Sequence, residues 1–254
     1  MNPTYLALEL KRYFRDYLGV FFTAVLPCFL YVIFGAAQSW SKEPAGNGNV
    51  AMYVMVSMAA YGAVTGTVSI GGSAAVERMQ GWGRQLGLTP MRDATFVVTK
   101  AVVAMIVALI PVGLIYLIGY FTGARGIASA WIIAAVIVLV GAAIFSVYGL
   151  IFGLAFRSES AVGAASGSLV ILAFLGNLFF PLSGTLLTIA KFTPLYGYVS
   201  LARRALTEGH ILNGTSSADM LYEPLWQPLV NMAVWTAIFG ALAVGAVRVG
   251  RRRQ

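Results

Sequence analysis

Residues 44–76 read PAGNGNVAMYVMVSMAAYGAVTGTVSIGGSAAV, and no Asp, Glu, Lys or Arg occurs among them. Roughly 20 apolar residues in helical form cross the hydrocarbon core of a bilayer, and an ionised side chain at mid-depth costs on the order of 2.5–3.5 kcal/mol even on the mildest insertion scale. A charge-free stretch of this length is long enough to span a membrane. Five others share the property, 17–41, 101–124, 126–156, 160–190 and 224–247, each at least 24 residues long. The charges collect between them. The pattern predicts an all-α integral membrane protein organised as one domain over residues 1–254, with six spans at about 18–37, 51–75, 98–121, 130–155, 161–179 and 229–247.

The composition, 59% hydrophobic and 10% charged, suits a chain solvated mostly by lipid. Its formal charge of +8 would suggest nucleic acid in a soluble domain; here the placement of the charge gives a better account. With a cytoplasmic N-terminus, twelve Lys and Arg residues fall on the inside, among them Lys11, Arg12, Arg15, Lys100 and Arg248, and five outside: Lys42, Arg125, Lys191, Arg203 and Arg204. That asymmetry predicts a plasma-membrane protein with both termini cytoplasmic, a bilayer as partner and no nucleic acid. The first apolar run follows basic residues like a secretory signal, but it is longer than a signal's apolar core and five more spans follow. A single cysteine, Cys28, and a single histidine, His210, supply neither a disulfide framework nor a metal site.

Before the first span, Leu6, Leu10, Tyr13, Phe14 and Tyr17 share one side of a helix over 4–17 and Lys11, Arg12 and Arg15 the other. Such a helix lies in the inner interface. Gly62/Gly66, Gly149/Gly153 and Gly163/Gly167 have the GxxxG spacing that lets helices approach closely. Residues 181–227 are too polar for a further span, and two short helices fit them: 182–190 half re-entrant from the outer face, and 195–208 lying amphipathically at that face.

Several chemistries are excluded. The Walker spacing is absent and no Gly-Lys dipeptide occurs, so ATP hydrolysis by a phosphate-binding loop is not available. A membrane serine protease fails because His210 falls in the external segment, out of reach of Ser166 and Ser168. Ion-coupled transport usually leaves a charge inside a span, and none of the six has one. The polar groups at membrane depth are neutral, for instance Thr65, Thr67, Ser69 and Ser73 in span two and Ser166, Ser168 and Asn177 in span five. They either line a pathway or bond helix to helix.

The cytoplasmic segment 77–92, ERMQGWGRQLGLTPMR, is the most specific feature. It resembles the coupling-helix signature of the type-2 ABC exporter permeases, an E-R-x-x-G pattern leading to L-x-x-T-P. Glu77, Arg78, Gly81, Leu86, Thr89 and Pro90 match it without gaps. Phe180-Pro181-Leu182-Ser183-Gly184, then Pro194 and Arg203, resembles the family's external segment before the last span. Arg84 and Met79 stand where members often carry acids, which makes this coupling surface more basic than usual.

The resemblance covers the whole chain. It implies the permease subunit of an ATP-driven exporter, partnered by two ABC ATPase subunits that hold ATP and magnesium and by a second copy or a homologous permease. It also implies that Glu77, Arg78, Gly81, Trp82, Arg84, Leu86, Leu88, Thr89 and Pro90 form the lever that meets the ATPase. Spans two and five then line the pathway, and Pro181, Pro194 and Arg203 form the external gate, where Arg203 is either a fixed gate residue or a tether at the headgroup boundary. The aliphatic lining with a few hydroxyls suits amphipathic or apolar cargo, such as an antibiotic, drug or lipid-linked molecule. Polysaccharide or glycolipid export, and a scaffold or sensor that moves nothing, are the alternatives.

Overall fold

The computed structural model describes residues 3–77, 93–156, 160–212 and 220–251. Helix α1 (Pro3–Arg15) is followed by α2 (Tyr17–Ala36), α3 (Val50–Glu77), α4 (Asp93–Thr122), α5 (Ala128–Phe156), α6 (Ser160–Leu175), α7 (Gly184–Ala190), α8 (Pro194–Thr207) and α9 (Trp226–Arg251). A 3-10 turn (Ser39–Lys42) and two small hairpins, Pro44–Ala45 with Gly48–Asn49 and His210–Leu212 with Met220–Tyr222, complete the described elements.

Among the described residues, five helices are long and apolar enough to cross a membrane: Tyr17–Ala36, Val50–Glu77, Thr95–Thr122, Ala128–Phe156 and Trp226–Arg248. Each coincides with an expected span to within a few residues. Their outward faces carry exposed aliphatic groups, such as Ile132, Val136 and Val140 on α5 and Leu229, Val230 and Val234 on α9. Apolar faces of that extent need a non-aqueous solvent.

The fifth apolar run departs from expectation. Its helix, α6, has only 16 residues and stops at Leu175, roughly 24 Å of rise against a hydrocarbon core of about 30 Å. The cause is local. Gly176 sits so close to Leu195 and the Leu172 carbonyl that any side chain there would collide, and Asn177 takes the left-handed conformation at φ +59°. Asparagine tolerates that conformation because its short amide bonds locally, and here Asn177 Oδ1 accepts the Leu182 amide at 2.8 Å. The two short helices after it, α7 and α8, lie close to the expected 182–190 and 195–208.

Helix α3 is the axis of the molecule. Nearly all of it is buried, against α5, α4, α6, α8 and the first span. Its sequence permits this because small residues dominate the crossings. Side chains at Gly62 or Gly66 would strike Pro111 and Val107 of α4 and Thr23 of α2. Gly71 and Gly72 face Ser146 and Gly149 of α5, and Gly149 and Gly153 in turn face Val68 and Gly72 of α3. Two of the three GxxxG pairs are thus real helix contacts within this chain. Gly163 and Gly167 have nothing within 4 Å.

Helix α1 docks by Leu6, Leu10 and Tyr13 on Ile70 of α3 and Val103, Ala104 and Val107 of α4. Phe14 and Tyr17, expected on the same side, are exposed instead.

Candidate functional site

Two polar clusters hold the ends of α3. At its last described residue, Glu77 directs one carboxylate oxygen to Arg12 of α1 and the other to Lys100 Nζ of α4 at 2.6 Å. Lys100 also pairs with Glu9 at 2.7 Å and lies 5.6 Å from the Phe96 ring centroid. Glu9, Glu77 and Lys100 are all nearly enclosed, whereas the Arg12 side chain is 58% exposed. Burial pushes the Tyr5 phenol above its ordinary range, and the adjacent carboxylates of Glu9 and Glu77 push the same way. Three helices meet here, at the root of segment 78–92.

Removing one member of a buried ion pair leaves the other uncompensated, at a cost of about 3–5 kcal/mol. Lys100→Met strands Glu9 and leaves Glu77 with Arg12 alone, and is expected to lower thermal stability in detergent by about that order. Adding Glu9→Gln and Glu77→Gln should recover most of the loss, because Arg12 is free to face water. A Lys100→Met protein that melts with the wild type would show that the cluster does not hold these helices.

The second cluster is at the opposite end. Arg203 of α8 is buried, and its five N–H donors are all engaged. Nε donates to Ser57 Oγ at 2.9 Å, Nη1 to Tyr53 OH at 2.9 Å and to the Asn177 carbonyl at 2.8 Å. Nη2 donates to Ser57 Oγ and to the Leu178 carbonyl at 3.0 Å. The guanidinium carbon lies 3.9 Å from the Tyr53 ring centroid, a cation–π contact. Tyr53 and Ser57 are one turn apart on α3, so the guanidinium fork meets two groups on one face. Its remaining donors satisfy carbonyls freed where α6 breaks.

Tyr196 and Ser200, on the same side of α8 as Arg203, donate to the buried Glu223, Tyr196 at 2.7 Å. Burial raises the Tyr196 phenol far above its usual range, and Glu223 adds to the effect. Between these groups is a cavity lined by Tyr53, Asn177, Tyr196, Ser200, Arg203 and His210, with room for about one water. It is a structural void and too small for cargo.

Two loops, at 44–49 and 123–126, are tied to the same end. Asn49 Oδ1 accepts from the amides of Met52 at 3.1 Å and Arg125 at 2.9 Å, and its Nδ2 donates to the Gly123 carbonyl at 2.8 Å. Asn47 bonds the Leu206 carbonyl at 2.7 Å through its amide and Glu208 at 2.8 Å through its side chain. Gly46, at φ +60°, passes so near the backbone of Leu206 and Thr207 that no side chain would fit.

A family model described as "ABC-2 family transporter protein" matches residues 38–244. The chain belongs to that family. It is also similar to a protein of Bacillus subtilis (strain 168) named "Putative transport permease YvfS", at 22% identity over 240 residues covering 92% of each chain. Membership in the ABC-2 family, with the membrane-spanning helices, makes the chain a multi-pass transport permease.

The residues expected to carry function fall as follows. Arg78, Gly81, Trp82, Arg84, Leu86, Leu88, Thr89 and Pro90 lie outside the described residues. Glu77 is described and turns inward, into its ion pairs. Thr65 and Thr67 are sealed within the bundle, Thr65 bonded to the Tyr61 carbonyl at 2.8 Å and Thr67 to the Ala142 carbonyl of α5 at 2.7 Å. Ser168 meets Tyr148 OH at 2.6 Å, while Ser69 and Ser166 are partly exposed. Asn177 caps the α6 break.

Pro194 starts α8, where its missing N–H costs nothing. Pro181 lies in the irregular connector between α6 and α7. The tether reading of Arg203 is overturned, since a guanidinium with every donor bonded inside protein has none for a lipid headgroup. Ser57, Tyr53, Glu223, Asn47 and Asn49 were not singled out from the sequence. Asn47 sits in Gly46-Asn47-Gly48, a sequence that favours a turn but carries no sign of its partners.

Proposed function

We propose that the chain is the transmembrane permease subunit of an ATP-driven exporter, moving an amphipathic or apolar compound out of the cell with energy supplied by two separate ATPase subunits. A second permease, identical or homologous, completes the pathway, and ATP and magnesium reside on the ATPases. Both termini and segment 77–92 face the cytoplasm. In that orientation α6 and the connector 176–183 together make the sixth crossing.

The observation that carries the reading is α3 itself. It runs as one unbroken helix of 28 residues, roughly 42 Å, from the Arg203 cluster to the Glu77 cluster. A rod buried along its length and gripped by charge at one end and a guanidinium at the other moves as a unit. Displacement of segment 78–92 by an ATPase is therefore delivered to Tyr53 and Ser57, and through Arg203 to α8 and the α6 break. Leu86 and Leu88 supply the apolar contacts for the ATPase, and Arg78 and Arg84 supply charge. Glu77 transmits the motion without touching the partner. The partly exposed Ser69 and Ser166 fit the pathway better than Thr65 and Thr67, whose hydroxyls are consumed within the bundle.

Purified alone, the chain is expected to show no ATP hydrolysis, since its sequence has no phosphate-binding loop. Reconstituted with its ATPase, it should give hydrolysis that rises with transported cargo, and Leu86→Asp should abolish that rise while leaving the helices inserted. Robust hydrolysis by the chain alone, or normal stimulation in Leu86→Asp, would refute the division of labour.

A further inference from the structure

Helix α1 uses only half of its surface to dock. Leu8, Lys11, Arg12 and Arg15 follow one another at helical spacing on the other half, and all four are exposed. Among the described residues Lys11 and Arg15 have no carboxylate partner, and Arg12 spends one nitrogen on Glu77 while most of its side chain stays open. Next to this basic stripe are exposed apolar groups: Phe14 near the end of α1, then Tyr17, Leu18, Phe21, Phe22 and Val25 of the first span, with Val97 and Val98 near the start of α4.

Three cations set in a rim of exposed aromatic and aliphatic side chains do not suit water, which would leave the rim unsolvated. The bilayer boundary satisfies both parts, acyl chains covering the rim and phosphates meeting the cations. The continuity of the rim with the exposed face of the first span places the stripe at that boundary. An ATPase surface would cover the charges and leave Phe14, Tyr17 and Leu18 uncovered.

We propose that Lys11, Arg12 and Arg15 form a binding site for the headgroup of an anionic phospholipid in the cytoplasmic leaflet, and that Arg12 is shared between this headgroup and Glu77. Lipid composition then sets how firmly α1 holds the end of α3. This regulatory consequence rests on the coupling role proposed above, whereas the binding itself does not.

The test uses the purified full chain reconstituted in vesicles carrying nitroxide-labelled phosphatidylglycerol or phosphatidylcholine, the motionally restricted fraction being read by electron spin resonance without any ATPase. Each basic residue near an anionic surface contributes about fivefold in binding, so the wild type should prefer phosphatidylglycerol by about fivefold or more at low salt. The double variant Lys11→Gln/Arg15→Gln, which leaves Arg12 and Glu77 in place, should lower the preference at least about fivefold, to no more than the share of Arg12, with unchanged thermal stability. Equal affinity for the two lipids in the wild type would overturn the proposal. So would a preference retained in the double variant.

Discussion

Arg203→Ala is expected to destabilise the protein by about 4 kcal/mol or more. The substitution leaves Tyr53 OH, Ser57 Oγ and the carbonyls of Asn177 and Leu178 without the donors they have now. Each buried polar group so abandoned costs about 1–3 kcal/mol. Against this stands the relief of a buried charge that has no ion-pair partner among the described residues. That relief is partial, because the guanidinium is already stabilised by five hydrogen bonds and the Tyr53 ring. The loss of partners therefore wins. Arg203→Lys should recover less than half, since an ammonium has three donors and no planar fork with which to reach Ser57 on one side and two carbonyls on the other. The measurement is the melting of the detergent-purified protein, followed by monodispersity on gel filtration. An alanine variant as stable as the wild type would remove Arg203 as the joint between α8, α3 and the α6 break. From the sequence, Arg203 reads only as a gate residue or a tether at the headgroup boundary, with no sign that it joins three elements of the fold.

That contrast marks what was legible in the chain. The spans were readable because charge is excluded from hydrocarbon at a large cost, so their ends are printed as Lys, Arg, Asp and Glu. The central position of α3 was not. In lipid a helix surrounded by protein and one surrounded by acyl chains are both apolar all round, and hydropathy cannot separate them. Only the density of Gly, Ala, Ser and Thr in α3 distinguished it, and the same composition in α6 led elsewhere, Gly163 and Gly167 having no neighbour. The break at Gly176-Asn177 carried a local signal that a reading based on hydropathy passed over. The clusters at the two ends were beyond reach for a different reason: Arg203 finds Tyr53 and Ser57, and Lys100 finds Glu9, across separations of many tens of residues, so no local pattern encodes the pairing. Glu77 was singled out as a surface lever, and its burial between Arg12 and Lys100 could be learned only from the fold.

Gly149→Val should be at least as damaging to assembly as any polar substitution, with an expected loss of about 3 kcal/mol or more. The added carbon would fall inside the van der Waals envelope of the Val68 carbonyl, and the neighbouring Gly71 meets the Ser146 carbonyl in the same way from the opposite helix. The obstacles are backbone atoms of α3 and α5, so no rotamer change relieves the overlap and the axes must separate. Separation is costly here in particular, because dispersion contacts and close approach hold membrane helices together where no hydrophobic force does. It also lengthens the bond by which Thr67 reaches the Ala142 carbonyl. Gly163→Val and Gly167→Val supply the control, since both lie on a helix with nothing within 4 Å of the added carbon; in the isolated chain they should shift stability by no more than about 0.5 kcal/mol. Melting curves of the three variants in one detergent decide the matter. Equal behaviour of Gly149→Val and Gly163→Val would mean that the α3–α5 crossing is not the close backbone contact described here, and the rigid rod that links the two ends of the molecule would lose its main support.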